Sequence, residues 1–332
     1  MSLAATDIET RAAIFRDCFG QLKAEIGRVF VGQPSVVEQL LLCFFCQGHA
    51  LLEGPPGLGK TLLVRTLSDA LNLTFARVQC TPDLMPADIT GTQLLVEGHD
   101  GVRSFAFQRG PIFANIVLAD EINRATPRTQ AAFLEAMQER RVTVFGATHR
   151  IDEPFSVFAT QNPIEMEGTY PLPEAQLDRF FFKLRIQVPG IDDLAEIMAR
   201  TTGEETVRVS TQFGAETVLS LFGLIRQVKI ADSVLRYVLH LVRATHPDSP
   251  EAPPIVKKYV RYGASPRAAQ SIVLASKATA LLAGRYHVAA EDVRSVAVAA
   301  LNHRIIRNFT AEMERVTAED VARAVLSSAP VL

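Results

Sequence analysis

The sequence predicts an α/β protein with a three-layer core around a parallel sheet, followed by a smaller helical domain. Up to about residue 190, short apolar runs alternate with helical patterns, which is typical of βαβ units. A glycine-rich loop at residues 54–61 joins the first of these runs to a helix. Beyond residue 190 the strand pattern fades, and the remaining segments have helical periodicity.

The composition is that of an ordinary globular protein. The 332 residues are 48% hydrophobic and 21% charged, which is enough for about two domains with a sizeable core. The net charge of −2 gives no sign of the basic surface that usually accompanies nucleic-acid binding. No apolar run of about 18 residues and no secretory leader is evident, so we expect a cytoplasmic protein without membrane insertion.

The chain begins with a predicted helix over residues 8–30, whose apolar stripe should pack on the core. Val31, Gly32 and Gln33 interrupt it, and Pro34 suits the first turn of a second helix that runs to about Gln47. The second helix contains a C-x-x-C pair at residues 43 and 46. Because the pair lies inside an apolar run, we expect the cysteines to pack as small hydrophobic residues rather than to bind zinc.

The glycine-rich loop fits the pattern G-x-x-x-x-G-K-T. Glycine lets the backbone wrap closely around an anion, and the N–H groups of the loop and the next helix then point at phosphate oxygens. Lys60 would reach the β- and γ-phosphates, and the Thr61 hydroxyl would bind Mg²⁺. An ordinary glycine turn is less well supported because a strand precedes the loop and a helix follows it. The predicted nucleotide-binding residues here are Gly54, Pro55, Pro56, Gly57, Leu58, Gly59, Lys60, Thr61 and Leu62.

Glycine and proline divide residues 81–113 into short apolar pieces, which favours a hairpin-like insertion over one long element. Next, residues 115–121 form an apolar run that ends in Asp120 and Glu121, as expected of a central strand that delivers acids to its carboxyl end. Asp120 would hold Mg²⁺, and Glu121 would activate the attacking water. A solvated acidic turn is the alternative, which the phosphate loop makes less favoured.

Four further segments complete the predicted core. A helix capped by Thr126 and Pro127 runs to about residue 140. Residues 142–151 predict a hairpin that turns at Gly146 and Ala147, since glycine in the first position suits a type II′ turn. A strand at 155–160 leads into Asn162, whose amide could position the attacking water, although an asparagine before proline is also a common turn residue. Residues 173–186 predict a short helix and another strand.

Helices then account for the rest of the chain. Ser265 is the expected N-cap of one of them, which places Arg267 in its first turn, where a surface salt bridge is the simplest role. We expect three units: an N-terminal helix over 1–30, a core over 31–190 and a helical lid over 191–332. The predicted lid helices are 192–202, 216–227, 231–246, 267–284, 291–308 and 317–327.

The order of these motifs resembles that of AAA+ ATPases. The phosphate loop is followed by Val-Leu-Ala-Asp-Glu, Ala-Thr-Gln-Asn, Leu-Asp-Arg-Phe and a lid with Ser-Pro-Arg. Within that group, residues 85–91, 120–125 and 174–180 are similar to the MoxR family, and the resemblance covers about residues 28–330. It implies an AAA+ core with an insertion at about 89–108, a hairpin before the sensor 1 residue, and an all-α lid.

The resemblance also implies roles for the residues. Residues 54–61 would be Walker A, and Asp120 with Glu121 would be Walker B. Asn162 would be sensor 1, Arg179 the arginine finger and Arg267 sensor 2. Val31 and Gly32 would line the adenine pocket.

MoxR proteins are thought to be ring-shaped ATPases that mature client complexes, often with partners that carry von Willebrand A domains. The resemblance thus implies ATP and Mg²⁺ as cofactors and a homo-oligomeric ring, with a hexamer as the expected assembly. The net charge of −2 leads us to expect no nucleic-acid partner. Three alternatives stay open: the ATPase subunit of a metal chelatase, a nucleotide-gated binding switch with little turnover, and a nucleic-acid motor. The near-neutral charge disfavours the last of these.

Overall fold

The computed structural model describes residues 8–97, 103–163, 168–203, 209–210 and 213–329. Its first part consists of helices and strands in alternation, as predicted. They are α1 (Ile8–Val29), α2 (Pro34–Phe45), β1 (Ala50–Glu53), α3 (Lys60–Ala70), β2 (Phe75–Gln79), α4 (Pro86–Thr90), β3 (Gly91–Glu97), β4 (Arg103–Arg109), β5 (Ile116–Asp120), α5 (Pro127–Glu139), β6 (Arg141–Val144), β7 (Ala147–Arg150), β8 (Ser156–Gln161), α6 (Glu174–Leu177) and β9 (Phe182–Arg185).

Five of these strands form the central sheet, in the order β2-β5-β8-β1-β9, and every neighbouring pair is parallel. Successive residues of β5 contribute to different apolar cores, because side chains alternate across a strand. Leu118 packs with α1, α2 and α3, whereas Val117 and Ala119 pack with α5 on the other face. Helices therefore cover both faces of the sheet, which confirms the predicted three-layer core.

The N-terminal helix α1 buries the predicted apolar stripe, including Phe15, Phe19, Leu22 and Ile26. This stripe packs against α2 and α3 of the core. The same helix also contacts the lid helices, and Arg11 donates to the backbone carbonyl of Ser220 at 2.7 Å. The helix thus joins the core to the lid rather than packing on the core alone. The domain boundaries at residues 30 and 190 stay predictions.

Two antiparallel hairpins project from the core. The β3–β4 hairpin confirms the predicted insertion, and its tip at residues 98–102 lies outside the described residues. The β6–β7 hairpin was expected to turn at Gly146 and Ala147, but that position is wrong. Val144 pairs with Ala147, so the turn consists of Phe145 and Gly146, with φ of 49° and 80°. Two positive φ values belong to a type I′ turn, which suits the twist of a two-residue hairpin and here includes a non-glycine residue.

The second part of the chain is mainly helical, as predicted. Its elements are α7 (Ile191–Thr202), α8 (Ala215–Gln227), α9 (Asp232–Ala244), α10 (Pro254–Tyr259), β10 (Val260–Tyr262), α11 (Pro266–Leu282), α12 (Ala290–Leu301), β11 (Ile306–Arg307), α13 (Phe309–Met313) and α14 (Ala318–Ser328). The predicted helix over 291–308 is too long. It ends at Leu301, and Ile306 and Arg307 pair with β10 in a short ribbon that the sequence did not predict.

The four cysteines, Cys18, Cys43, Cys46 and Cys80, are all buried free thiols. Burial raises the pKa of the Cys18 and Cys80 thiols to about 12, so neither is a reactive thiolate at neutral pH. The prediction that Cys43 and Cys46 pack in the core is confirmed.

Candidate nucleotide site

A cavity of about 380 Å³ opens at the carboxyl ends of the central strands. Open parallel sheets bind ligands at this edge, because loops from several strands meet there. The cavity combines the phosphate loop with the acidic end of β5 and the end of β8. Its lining residues are Pro56, Gly57, Leu58, Gly59, Lys60, Thr61, Leu62, Arg77, Asp120, Glu121, Thr160 and Asn162.

The phosphate loop has its shape because glycine occupies three positions in it. A Cβ on Gly54 would lie 2.6 Å from the backbone oxygen of Ile186, so the loop can start beside β9 only with glycine there. Gly57 and Gly59 have φ of +79° and +75°, in the left-handed region that favours glycine. Helix α3 begins at Lys60, directly after Gly59, so its free N–H groups lie at the cavity. The loop and helix end together form an anion site.

Lys60 folds back over the loop. Its Nζ donates to the backbone oxygens of Gly54 and Pro55, each at 2.7 Å. Partial burial lowers the pKa of Lys60, while the charges of Asp120 and Glu121 act in the opposite direction. The ammonium group is therefore held at the loop by two neutral acceptors, and it can exchange them for phosphate oxygens without leaving the cavity.

Asp120 is buried at the end of β5, and both of its carboxylate oxygens accept hydrogen bonds. Oδ1 accepts from the Thr160 hydroxyl at 2.6 Å. Oδ2 accepts from Nε and Nη2 of Arg77 at 3.0 and 2.7 Å, and it lies 3.5 Å from Oγ1 of Thr61. The two predicted metal ligands, Thr61 and Asp120, are thus brought together.

The donor set of this pair suits Mg²⁺. A hydroxyl and a carboxylate are hard oxygen ligands, and Mg²⁺ is usually bound by one or two such groups together with water and substrate phosphates. Among the described residues, no group of three or more His, Cys, Asp or Glu side chains forms a metal cage. Thr61 and Asp120 would therefore hold the ion jointly with the nucleotide.

Glu121 follows Asp120 in a strained conformation. Its φ of 56° and ψ of 51° lie in the left-handed region, which costs a non-glycine residue about 1–3 kcal/mol and often marks a functional site. Its backbone N–H donates to Oγ1 of Thr160 at 2.7 Å. Its carboxylate accepts from Gln79 and from Arg124, each at 3.1 Å. Thr160 thus fixes both acids, and Gln79 and Arg124 orient the Glu121 carboxylate in the cavity.

Asn162 is buried and lines the same cavity, one residue beyond β8. The predicted sensor 1 residue therefore shares a cavity with the predicted base. Val31 and Gly32 do not line this cavity. Gly32 lies next to α7, where a Cβ would come within 2.8 Å of Oδ2 of Asp193. Their assignment to an adenine pocket stays a prediction.

The two remaining predicted site residues, Arg179 and Arg267, line a different cleft, of about 300 Å³. Nη1 of Arg179 donates to the backbone oxygen of Leu134 in α5, and its buried Nε has no hydrogen-bond partner among the described residues. Nη1 of Arg267 lies 3.3 Å from Oδ2 of Asp178. This cleft also includes Gly48 and His49, which precede β1, whereas the nucleotide cavity includes the loop that follows β1.

A buried arginine, Arg304, holds the segment that carries Arg179. Its Nε donates to Oδ1 of Asp178 at 2.9 Å, and its Nη2 donates to the backbone oxygen of Phe180 at 2.7 Å. Burial lowers the pKa of Arg304 to about 10, and the charge of Asp178 partly offsets this effect. Because Arg304 follows α12 of the lid, these hydrogen bonds attach the lid to the core residues on both sides of Arg179.

Comparison with known proteins agrees with this geometry. Residues 49–182 match the model of the ATPase family associated with various cellular activities, and residues 253–326 match the AAA lid domain. The chain is 41% identical to chaperone MoxR1 of Mycobacterium tuberculosis over 310 residues, which cover 92% of this chain and 80% of that protein. The chain belongs to the MoxR family of AAA+ ATPases. It is also 31% identical to protein MoxR of Methylorubrum extorquens, over 95% of this chain and 96% of that one.

A crystal structure of a candidate ATPase from Cytophaga hutchinsonii has the same fold, with a TM-score of 0.90 and 39% identity over 98% of each chain. As a MoxR-family protein, the chain binds nucleotide and hydrolyses ATP. Within the described part of the chain, none of the helices combines the length and the apolar character needed to cross a bilayer.

Sequence reasoning missed four residues of this MoxR-family site: Arg77, Gln79, Thr160 and Arg304. Arg77 and Gln79 are two residues apart on β2 and so lie on one face of the strand beside β5, a pattern that the sequence does show. Thr160 is the last residue of the predicted strand and could have been included with Asn162. No sequence pattern pointed to Arg304, because its contact with Asp178 depends on how the lid packs on the core.

Proposed function

We propose that this MoxR-family ATPase is Mg²⁺-dependent, assembles into a ring with active sites shared between subunits, and acts as a chaperone on client protein complexes. One observation carries the proposal. The nucleotide cavity follows the carboxyl end of β1, whereas the cleft with Arg179 and Arg267 includes the residues at its amino end.

These two positions are the complementary halves of one site. A four-residue strand is roughly 13 Å long, and β1 separates these two positions in the same chain. Arg179 is half-buried and lines an open cleft, so a group from another subunit can reach its guanidinium. A neighbouring subunit that places its nucleotide cavity against this cleft would provide that group. Arg267 lines the same cleft, which supports a contribution of Arg267 to the neighbour's site as well.

Within one subunit, different residues bind the phosphates, hold the metal ion and activate the attacking water. The loop N–H groups and Lys60 bind the β- and γ-phosphates, and Thr61 and Asp120 hold the metal ion. When bound, Mg²⁺ neutralises charge on the phosphate oxygens. Glu121 accepts a proton from the attacking water, and Asn162 orients that water. Thr160 keeps Asp120 and Glu121 in place through its two hydrogen bonds.

Arginine is well suited to act on the nucleotide of a neighbouring subunit. Negative charge develops on the γ-phosphoryl oxygens in the transition state, and a guanidinium presents a planar fork of donors to them. When a neighbouring subunit supplies the guanidinium, ATP hydrolysis depends on assembly of the ring. A closed ring repeats this contact at every interface, as expected of a head-to-tail interface that closes. A hexamer and a von Willebrand A domain partner are proposed on family resemblance alone.

Assembly is the direct test of the ring. Glu121→Gln should retain ATP, so in the presence of Mg²⁺ and ATP it should sediment as a closed oligomer of defined mass. Lys60→Ala, which loses the phosphate ligand, should sediment at lower mass under the same conditions. Analytical ultracentrifugation across a range of protein concentrations measures both. A Glu121→Gln protein that binds ATP and remains monomeric would contradict the ring.

The two hairpins form one candidate surface for client proteins. Phe107 of β4 stacks on His149 of β7, with ring centroids 3.9 Å apart, and Arg109 lies 3.3 Å from Asp152. These contacts join the hairpins side by side. Phe145 at the tip of one hairpin is 73% exposed, and Phe105 on the other is 72% exposed. Exposed aromatic residues at such positions favour contact with apolar segments of another protein.

Phe105→Ser combined with Phe145→Asn tests this surface. Asparagine tolerates the positive φ at residue 145, and both changes lie outside the nucleotide cavity, so basal ATP hydrolysis should stay within about twofold of wild type. Combined with Glu121→Gln, the double variant should lose the partners that Glu121→Gln alone retains, as measured by quantitative mass spectrometry of co-purified proteins. The control is Phe309→Ser, an equally exposed phenylalanine on the lid, at 74%. Equal retention by all variants would exclude the hairpins as the docking surface.

A further inference from the structure

Arg77 donates to the carboxylate oxygen of Asp120 that faces Thr61. Its Nε and Nη2 donate to Oδ2 of Asp120 at 3.0 and 2.7 Å. Among the two oxygens of this carboxylate, Oδ2 is the one that lies 3.5 Å from Oγ1 of Thr61, the other predicted metal ligand. Oδ1 accepts from Thr160. The guanidinium thus lies on the oxygen that a cation shared with Thr61 would use.

Arg77 and a metal ion would compete for this oxygen. A carboxylate oxygen offers two lone pairs, and the two N–H groups of Arg77 are already the two nearest donors to Oδ2. A divalent cation, or a water molecule that it carries, therefore reaches Oδ2 only if Arg77 gives up at least one of these bonds. Repulsion between a guanidinium and a cation bound to the same carboxylate also favours release of Arg77.

The Arg77 side chain can move away from the cavity, whereas the Asp120 carboxylate is fixed in it. The Arg77 side chain is 49% exposed and extends from β2, the edge strand of the sheet. Its Nη2 also contacts Oε1 of Gln79 at 2.8 Å, which offers a second acceptor outside the carboxylate. Asp120 is buried, and a buried carboxylate without a cationic or hydrogen-bonding partner is costly. Arg77 therefore supplies the positive charge that this carboxylate needs in the absence of metal.

We propose that Arg77 is a positioning residue that competes with Mg²⁺ for Asp120. It holds the carboxylate before nucleotide binds, and binding of the metal-nucleotide complex displaces it. The inference rests on the proposed Mg²⁺-dependent nucleotide binding. It implies that Arg77 raises the Mg²⁺ concentration needed to half-saturate the nucleotide site.

The test measures the affinity for a fluorescent ATP analogue at a series of Mg²⁺ concentrations, including none. In Arg77→Gln, the half-saturating Mg²⁺ concentration should fall by about tenfold, a factor in keeping with the loss of a competing charge-assisted hydrogen bond. Arg77→Lys keeps the charge but lacks the planar fork, so its half-saturation should lie between those of wild type and Arg77→Gln. This variant also carries the test if Arg77→Gln does not fold.

Arg124→Gln is the matched control. The Arg124 side chain is 45% exposed and also pairs with an acid of this cavity, but that acid is Glu121 rather than Asp120. Arg124→Gln removes one positive charge near the same cavity but frees no oxygen of Asp120, so its half-saturating Mg²⁺ concentration should fall much less than that of Arg77→Gln. An equal fall in Arg124→Gln, or no change in Arg77→Gln, would overturn the competition. A wild-type protein that binds no nucleotide under any condition would instead overturn the proposed function.

Discussion

Glu121→Gln is expected to bind ATP nearly as tightly as wild type and to lose turnover by about 10²–10⁴-fold, the usual contribution of a general base. Glutamine keeps the shape of the side chain and an oxygen that can accept from Gln79 and Arg124, so the strained backbone at residue 121 should persist. What it lacks is a carboxylate that can take a proton from water. The loss should therefore fall on kcat and spare affinity.

The measurement compares Glu121→Gln with Lys60→Ala. A fluorescent ATP analogue gives the affinity of each variant, and steady-state phosphate release gives the turnover. Lys60→Ala should lose binding, because it removes the cation that neutralises the β- and γ-phosphates. Unchanged affinity in Lys60→Ala would contradict the assignment of the phosphate loop. Turnover near the wild-type rate in Glu121→Gln would exclude Glu121 as the base.

The core of the fold was predictable because its elements are fixed by local patterns. Apolar runs such as residues 116–119 must be central strands, since both faces are covered by helices. The predicted elements were wrong where strand pairing determines the structure of a segment that has helical periodicity in its sequence. Residues 302–308 continue a helical pattern, yet Ile306 and Arg307 join β10, and the buried Arg304 turns toward Asp178. Neither contact can be read from the segment itself.

The nucleotide site was predictable to a similar extent. Walker residues lie at fixed spacings around one strand and one loop, so Lys60, Thr61, Asp120 and Glu121 could be placed from the sequence, and the structure brings them into one cavity. Arg77, Gln79 and Thr160 could not be assigned roles, because their roles depend on which strands are neighbours in the sheet. The order β2-β5-β8 is what places them around Asp120 and Glu121. Sheet order is a property of the whole fold rather than of any motif.

Arg179→Ala is expected to bind ATP normally and to hydrolyse it about 10³–10⁵-fold more slowly, the range that arginine fingers contribute in phosphate-loop enzymes. Its guanidinium lies outside the nucleotide cavity of its own chain, so removing it should leave the affinity unchanged. A surface salt bridge would contribute only about 0–1 kcal/mol, and its loss would not slow hydrolysis to this degree. Arg179→Lys should recover little, because a point charge does not replace the planar fork.

Mixing identifies which subunit supplies the arginine. Lys60→Ala lacks a working pocket but keeps its Arg179, and Arg179→Ala has a working pocket but lacks the arginine. ATP bound by the Arg179→Ala subunits should bring Lys60→Ala subunits into mixed assemblies, which should recover part of the wild-type hydrolysis at interfaces where an intact pocket meets an intact arginine. A mixture of Lys60→Ala with Glu121→Gln is the control and should recover nothing, since every pocket in it is defective. Energy transfer between labelled subunits verifies exchange. If the subunits exchange and the first mixture stays as inactive as the control, Arg179 does not act on its neighbour.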